Sequence, residues 1–218
     1  MLEKLPESIG HALINQRAGM DSVVYNALFH ARQTVRLELS SPAFAFNGRL
    51  PIRFTADGPG ISPPLEWDQI PAATESLVLL VEDADSPTPH PLVHAIVTGL
   101  PGSKGGLAEG ALDSPGHQGA GLATGQNSFF KRAWLPPDPP RGHGEHRYVF
   151  QLFALDAGEP FSAAPGRQVL IDAIIDRAIG VGCLIGTYER SVRQDVGLTD
   201  AEAAGLHPVD VSGGLATI

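Results

Sequence analysis

From Val35 onward apolar and polar residues alternate singly, Val35-Arg36-Leu37-Glu38-Leu39, as in a half-buried antiparallel strand. Upstream the period is helical instead. Leu2, Leu5, Ile9, Leu13 and then Val24 and Leu28 recur every three or four residues, so residues 1–34 are expected to form one or two short amphipathic helices, with Ser8 as an N-cap. Leu50 to Thr55 reads as a further strand, followed by turn chemistry at Asp57-Gly58-Pro59-Gly60. Ser62-Pro63-Pro64-Leu65 fits neither a helix nor a central strand, because two prolines remove adjacent N–H donors.

The unbroken run Leu77 to Val81 suits a strand buried on both faces, and it stops abruptly at Glu82-Asp83-Ala84-Asp85. His94 to Thr98 and Tyr148 to Ala154 are two more strands, separated in part by a Gly-rich stretch from Gly99 to Gly125 that reads as surface loop. Helical spacing returns at Val169, Leu170, Ala173, Ile174 and Arg177, with Gly180 to Gly182 as its expected stop. Cys183 to Glu189 is the last strand, and the capping-box pattern Thr199-Asp200-Ala201-Glu202 predicts a short helix before Gly205. The expected organisation is a helical extension over 1–34, a β domain over 35–193 and a tail over 194–218 with one short helix.

Composition narrows the function classes. A net charge of -9 without a basic stripe argues against nucleic acid as a partner. Cys183 is the only cysteine, so no internal disulfide forms and a reducing, cytoplasmic setting is expected. The first residues carry Glu3, Lys4 and Glu7 and no uninterrupted apolar core, so neither a signal peptide nor a membrane span is expected. The stripe of the extension has few basic residues beside it, which favours docking on its own domain, a protein partner or a second copy of the chain over a membrane surface.

The candidate chemistry lies at strand ends. His146, Tyr148 and Phe150 share one parity, so His146 and Tyr148 project to one face. Asp83 ends one strand and His94 begins another after ten intervening residues, so antiparallel pairing would put both on one rim. Carboxylates accept, imidazoles donate when protonated and a phenol donates, which is chemistry for a small anion. A carboxylate beside an imidazole would hold it charged, so binding would weaken as pH rises. Taken singly, such residues ordinarily cap turns or satisfy a sheet edge; Asp85 in particular is as well suited to bonding its own loop as to touching a ligand.

Other chemistries fit less well. His143 and His146 have H-x-x-H spacing, yet i and i+3 on an extended strand point to opposite faces, so one metal ion could join them only if the Gly144 turn folds back. No metal or other cofactor is expected. A hydrolase would need a nucleophile, and Ser86 before a proline lacks the G-x-S-x-G elbow.

In the ordered motifs Asp57-Gly58, Ser62-Pro63-Pro64-Leu65-Glu66-Trp67, Asp83-Ala84-Asp85-Ser86-Pro87, His94, Gly142-His143-Gly144-Glu145-His146-Arg147-Tyr148 and Gly186-Thr187-Tyr188, the chain resembles the phosphatidylethanolamine-binding protein (PEBP) family in its bacterial Raf-kinase-inhibitor-like branch. The resemblance implies a mainly β fold, an antiparallel Greek-key β-sandwich with a few peripheral helices. It also implies a pocket for phosphate, phosphoethanolamine-like head groups or carboxylates, mapping onto Asp83, Pro87, His94, Pro139, His146 and Tyr148, with Asp85 beside them. Trp134, Asp138 and Gly144 stand at its margin. Leu92 and Ala95 replace aromatics common in relatives, Trp134 stands where a tyrosine is frequent, and Asp138 replaces a cysteine, adding negative charge if it faces the pocket. The function implied is a non-catalytic binder of a small anion that regulates a partner protein; the alternative is a kinase- or protease-regulating interaction scaffold.

Overall fold

The computed structural model describes residues 6–31, 34–113, 123–161 and 163–190. Among these residues ten strands form two sheets. β1 (Val35–Arg36), β3 (Gly48–Arg49), β5 (Ser76–Asp83), β6 (Leu92–Pro101), β8 (Ala123–Thr124), β9 (His146–Leu155) and β10 (Ala178–Tyr188) make the large sheet. Its order is β1-β10-β9-β5-β6-β8, with β3 also on β10. β2 (Glu38–Ser40), β4 (Leu65–Asp68) and β7 (Gly105–Leu107) make the small one, in the order β2-β4-β7. Pairing is antiparallel except where the two-residue strands β1 and β3 run parallel to β10.

The large sheet is covered on both faces, which explains the unbroken apolar run in β5. Leu77, Leu79 and Val81 pack toward the small sheet with Trp67, Phe150, Leu152 and Leu184. Val78 and Leu80 pack on the other face with Phe153, Leu155 and residues of two helices, α2 (Val24–Ala31) and α3 (Arg167–Arg177). The strand alternation thus sorts side chains into two cores rather than into core and solvent.

Several local expectations change. Leu50 to Thr55 is not a strand: Ile52–Phe54 is a 3-10 turn, because Pro51 cannot donate to a ladder and Phe54 buries from a tight turn. Gly180 to Gly182 do not end a helix; α3 runs directly into β10 at Ala178. Those glycines serve packing. A Cβ at Gly180 would lie 2.8 Å from Leu37 Cδ2, and one at Gly182 would lie 3.1 Å from Leu37 Cβ. The stretch from Gly99 to Gly125 is not all loop, since it contributes β7 and β8. Pro63 and Pro64 precede β4, which begins at Leu65.

The N-terminal segment contains α1 (Glu7–Leu13), a 3-10 turn at Met20–Ser22 and α2. Pro6, not Ser8, precedes the first helix, which has no side-chain cap. Its expected apolar stripe does not face a core either: Ile9 is 39 % exposed and the buried residue is Gly10. α2 does place Val24 and Leu28 in the core, so the segment docks on its own domain. The helix expected near residues 199–205 lies outside the described residues. Among the described residues, no helix is long and apolar enough to cross a membrane.

Candidate functional site

Two antiparallel pairings assemble the rim. Asp83, the last residue of β5, lies opposite Leu92 of β6 and Tyr148 of β9. His146 opens β9 and its Nδ1 donates to Asp83 Oδ2 at 2.8 Å. His94 arrives by a different route. The register between β5 and β6 shifts between Val81 and Glu82, leaving His94 as an extra residue in a bulge. By parity His94 would share the helix-side face of Ile96; the bulge turns it beside Ala95 into the inter-sheet core. There its ring meets Tyr148 edge-on, with centroids 5.1 Å apart, and lies 6.0 Å from Trp134.

The loop carrying Trp134 is fastened to this bulge. Leu135 N donates to His94 O at 2.9 Å, and His94 Nδ1 donates to Leu135 O at 2.5 Å. That bond commits the Nδ1 proton, so the neutral ring presents Nε2 as a bare lone pair. Burial is the main influence on His94 and pushes its pKa down, more than Asp83 and the Leu135 carbonyl push it up. The Asp83 carboxylate is thus outweighed by burial at His94, and the imidazole directly beside it is that of His146. Burial likewise raises the Tyr148 phenol well above its ordinary value, so it stays a donor.

These two groups end in unpartnered atoms. His94 Nε2, Tyr148 OH and Arg190 Nη2 are buried with no hydrogen-bond partner among the described residues. A buried polar atom left alone costs about 1–3 kcal/mol, so two of them converging on one aromatic-walled rim mark a place built for a polar guest.

His143 adds a second layer. The Gly144 turn, at φ 91°, folds back and brings His143 Nδ1 within 2.6 Å of His146 Nε2. The two histidines do meet, as a hydrogen-bonded pair. His143 Nε2 donates to Leu13 O at 2.8 Å, so the chain runs from that carbonyl through both rings to Asp83. Its ends only accept when Asp83 is ionised, so three bonds need three ring protons, one more than two neutral imidazoles carry. Burial, followed by the charge of His146, pushes His143 down. Among the described residues no group of three or more His, Cys, Asp or Glu could hold a metal ion.

Of the other expected residues, Asp85 is turned away. Its oxygens take Arg147 N at 2.9 Å, Arg147 Nε and Nη2 at 2.7 Å each, and Arg17 Nη1 at 3.0 Å. Burial pushes its carboxyl up, but the two arginines outweigh this and hold it low. Asp85 fastens loops rather than facing the rim. Pro87 is half-buried in the turn beyond Ser86, and Pro139 is buried with its carbonyl 3.3 Å from Arg190 Nη1. Trp134 supplies an aromatic wall, stacked on Phe150 at 6.1 Å and donating from Nε1 to Phe54 O. The negative charge of Asp138 is met by Arg190 Nη1 at 2.5 Å.

Arg190 and Arg17 escaped sequence reasoning, and the contact of His143 with His146 was weighed only as a metal pair. Arg190 follows β10, and nothing in its local sequence marks it as a buried cation. A separate surface cleft of about 640 Å³, lined in part by Tyr25, Arg36, Phe46 and Cys183, shares none of the rim residues. Burial pushes the Cys183 thiol up to about 12, so it is a packing group there.

Residues 40–189 match the family model described as phosphatidylethanolamine-binding protein. A UPF0098 protein of Chlamydia pneumoniae is 38 % identical over 159 residues, spanning 71 % of this chain and 100 % of its own. A UPF0098 protein of Methanothermobacter thermautotrophicus is 34 % identical over 154 residues, spanning 71 % and 99 %. Among solved structures, the PEBP homologue CT736 of Chlamydia trachomatis superposes with a TM-score of 0.64 at 32 % identity, covering 72 % of this chain and 99 % of that one. Escherichia coli YbcL shares the fold, with a TM-score of 0.66 at 22 % identity over 71 % of this chain and 98 % of its own.

Proposed function

The chain belongs to the phosphatidylethanolamine-binding protein family, and we propose that the rim of Asp83, His94, His146 and Tyr148 binds a small oxyanion of the phosphate class that keeps one hydroxyl, without chemistry of its own. The observation that carries this reading is the pair of buried, unpartnered atoms His94 Nε2 and Tyr148 OH. One accepts while its ring is neutral and the other donates, so the complementary guest has a hydroxyl beside an anionic oxygen. Hydrogenphosphate and a singly ionised phosphate monoester both have that pair. Binding then weakens as pH rises and the guest loses its proton. Ser86 Oγ is engaged with Asp83 O at 3.2 Å and Thr88 Oγ1 at 2.7 Å, which supports binding rather than acyl transfer.

The test is a titration of the full chain, and of its Arg17→Ala variant, with inorganic phosphate and with O-phosphoethanolamine, followed by histidine ring NMR. Saturable shifts of His94 at millimolar ligand are expected, and the two probes separate free oxyanion from head group. Absence of a shift in both proteins with both probes would refute the reading.

A further inference from the structure

Residues 1–39 lie outside the stretch that matches the family, yet residues 7–19 among them lie against the loops of the rim. α1 sits on the turn that carries His143. A side chain at Gly10 would run into Arg141 O, and a Cβ at Gly142 would lie 2.9 Å from His11 Nε2 and 3.1 Å from Glu7 Cγ. Glycine stands at position 10 because backbone meets backbone there, and at position 142 because φ is 75° and side chains of α1 press on it. The chain then crosses the rim. Leu13 O and Gln16 O accept from His143 Nε2 at 2.8 and 3.2 Å. Arg17 donates to Glu145 O at 2.8 Å and His143 O at 2.9 Å, and pairs with Asp85 at 3.0 Å. Ala18 N and Gly19 N donate to Ser86 O and Ala84 O at 3.0 and 2.8 Å. Both loops that frame the rim, 84–86 and 141–146, are thus strapped by one segment.

The strap closes the site. His146 is 1 % exposed, His94 2 % and Tyr148 0 %. His146 Nε2, which would otherwise face an incoming anion, is covered by His143 Nδ1 at 2.6 Å. His143 is itself held by the Leu13 and Gln16 carbonyls. The strap is also the kind of element that opens: a seven-residue helix is marginal alone, Ile9 and Ile14 are exposed, and its attachment is chiefly hydrogen bonds.

We infer that residues 7–19 are an intramolecular cap that competes with the anion for His146, so that ligand entry and release of this segment are one coupled event. The inference rests on the anion reading above. A ligand that needs His146 Nε2 binds only the uncapped form, so its apparent affinity is reduced by the fraction uncapped.

Two full-length variants loosen the cap by different means. Arg17→Ala removes the side chain that ties both loops, and Gly10→Val wedges α1 off Arg141. Calorimetric titration with inorganic phosphate is expected to give binding roughly three- to tenfold tighter in both than in the wild type. Hydrogen exchange of amides 7–19 in the wild type is expected to speed up as phosphate saturates. Unchanged or weaker affinity in both variants, or phosphate binding that leaves exchange at 7–19 unchanged, overturns the cap and leaves the pocket standing. No binding in any of the three proteins overturns the pocket, and the cap with it.

Discussion

Arg190→Met tests the part of the site that the sequence concealed. Arg190 is 2 % exposed, and its Nε donates to both Asp57 oxygens at 3.0 and 2.8 Å while Nη1 reaches Asp138 at 2.5 Å. Methionine keeps an unbranched apolar stem of similar reach and removes the cation. Two carboxylates, 27 % and 14 % exposed, then face each other's neighbourhood without it. Removing one member of a buried ion pair costs about 3–5 kcal/mol, and the partial hydration of Asp57 puts this case near the lower end, about 3 kcal/mol. For a domain of this size that is a fall in Tm of roughly 6–12 °C. The pH dependence has a definite sign. Burial is the largest influence on Asp57 and pushes it up, but bonds from Arg190 and Tyr188 overcome it and hold the carboxyl low. Its contribution is therefore present above the ordinary carboxylate value and lost as pH falls through the lower folded one. In the variant Asp57 loses the cation that favours its ionisation, so its protonation relieves the variant first. The gap between wild type and variant narrows from pH 7 toward pH 4.5. Urea unfolding followed by circular dichroism at both pH values measures it, and adding Asp57→Asn with Asp138→Asn should restore part of the loss. A gap below about 1 kcal/mol at pH 7, or one equally large at both pH values, would refute the argument.

Tyr148→Phe removes an oxygen with no partner among the described residues, so stability by thermal unfolding holds or rises. Phosphate affinity by calorimetry falls about 10- to 150-fold, as expected for a lost bond to a charged group worth about 1.5–3 kcal/mol. Burial lowers the pKa of both His94 and His143, so their contribution to stability is complete above the ordinary imidazole value and declines as pH falls below it. Each ring that stays neutral contributes a slope of about 1.4 kcal/mol per pH unit; the wild-type advantage over His94→Asn in urea midpoint should shrink between pH 7.5 and 5.5, and a constant advantage would contradict it. Gly186→Ala places a Cβ 2.5 Å from Leu50 Cδ2 and 3.0 Å from Phe44 Cε2, and overpacking of this kind costs about 1–3 kcal/mol. Gly166→Ala, with nothing within 4 Å, is the matched control in the same thermal assay, and equal effects would sink the packing argument.

Much of the frame was legible because it depends on local pattern. The apolar run of β5 and the parity of β9 follow from which residues can be buried, and the ten residues after Asp83 favour a return beside it. These features put Asp83, His146 and Tyr148 on one rim, where they are found. The ordered motifs pointed to the family that the matched residues 40–189 establish.

The rest was decided by contacts between distant segments. Parity sends His94 to the helix side, and only the one-residue register shift against β5 turns it toward Tyr148. Asp85 reads like a ligand until Arg17 and Arg147 occupy its oxygens. Gly180 to Gly182 read as a helix stop, whereas Leu37 from the far end of the β domain needs their missing side chains. Gly10, a poor residue for a helix, has its reason in the backbone of Arg141. The sequence by itself determined which stretches are buried strands and which polar groups end them, because burial and period are properties of a few neighbouring residues. Only the tertiary structure decided which of those groups keep a free lone pair or proton, because each partner that satisfies or spares them comes from elsewhere in the chain.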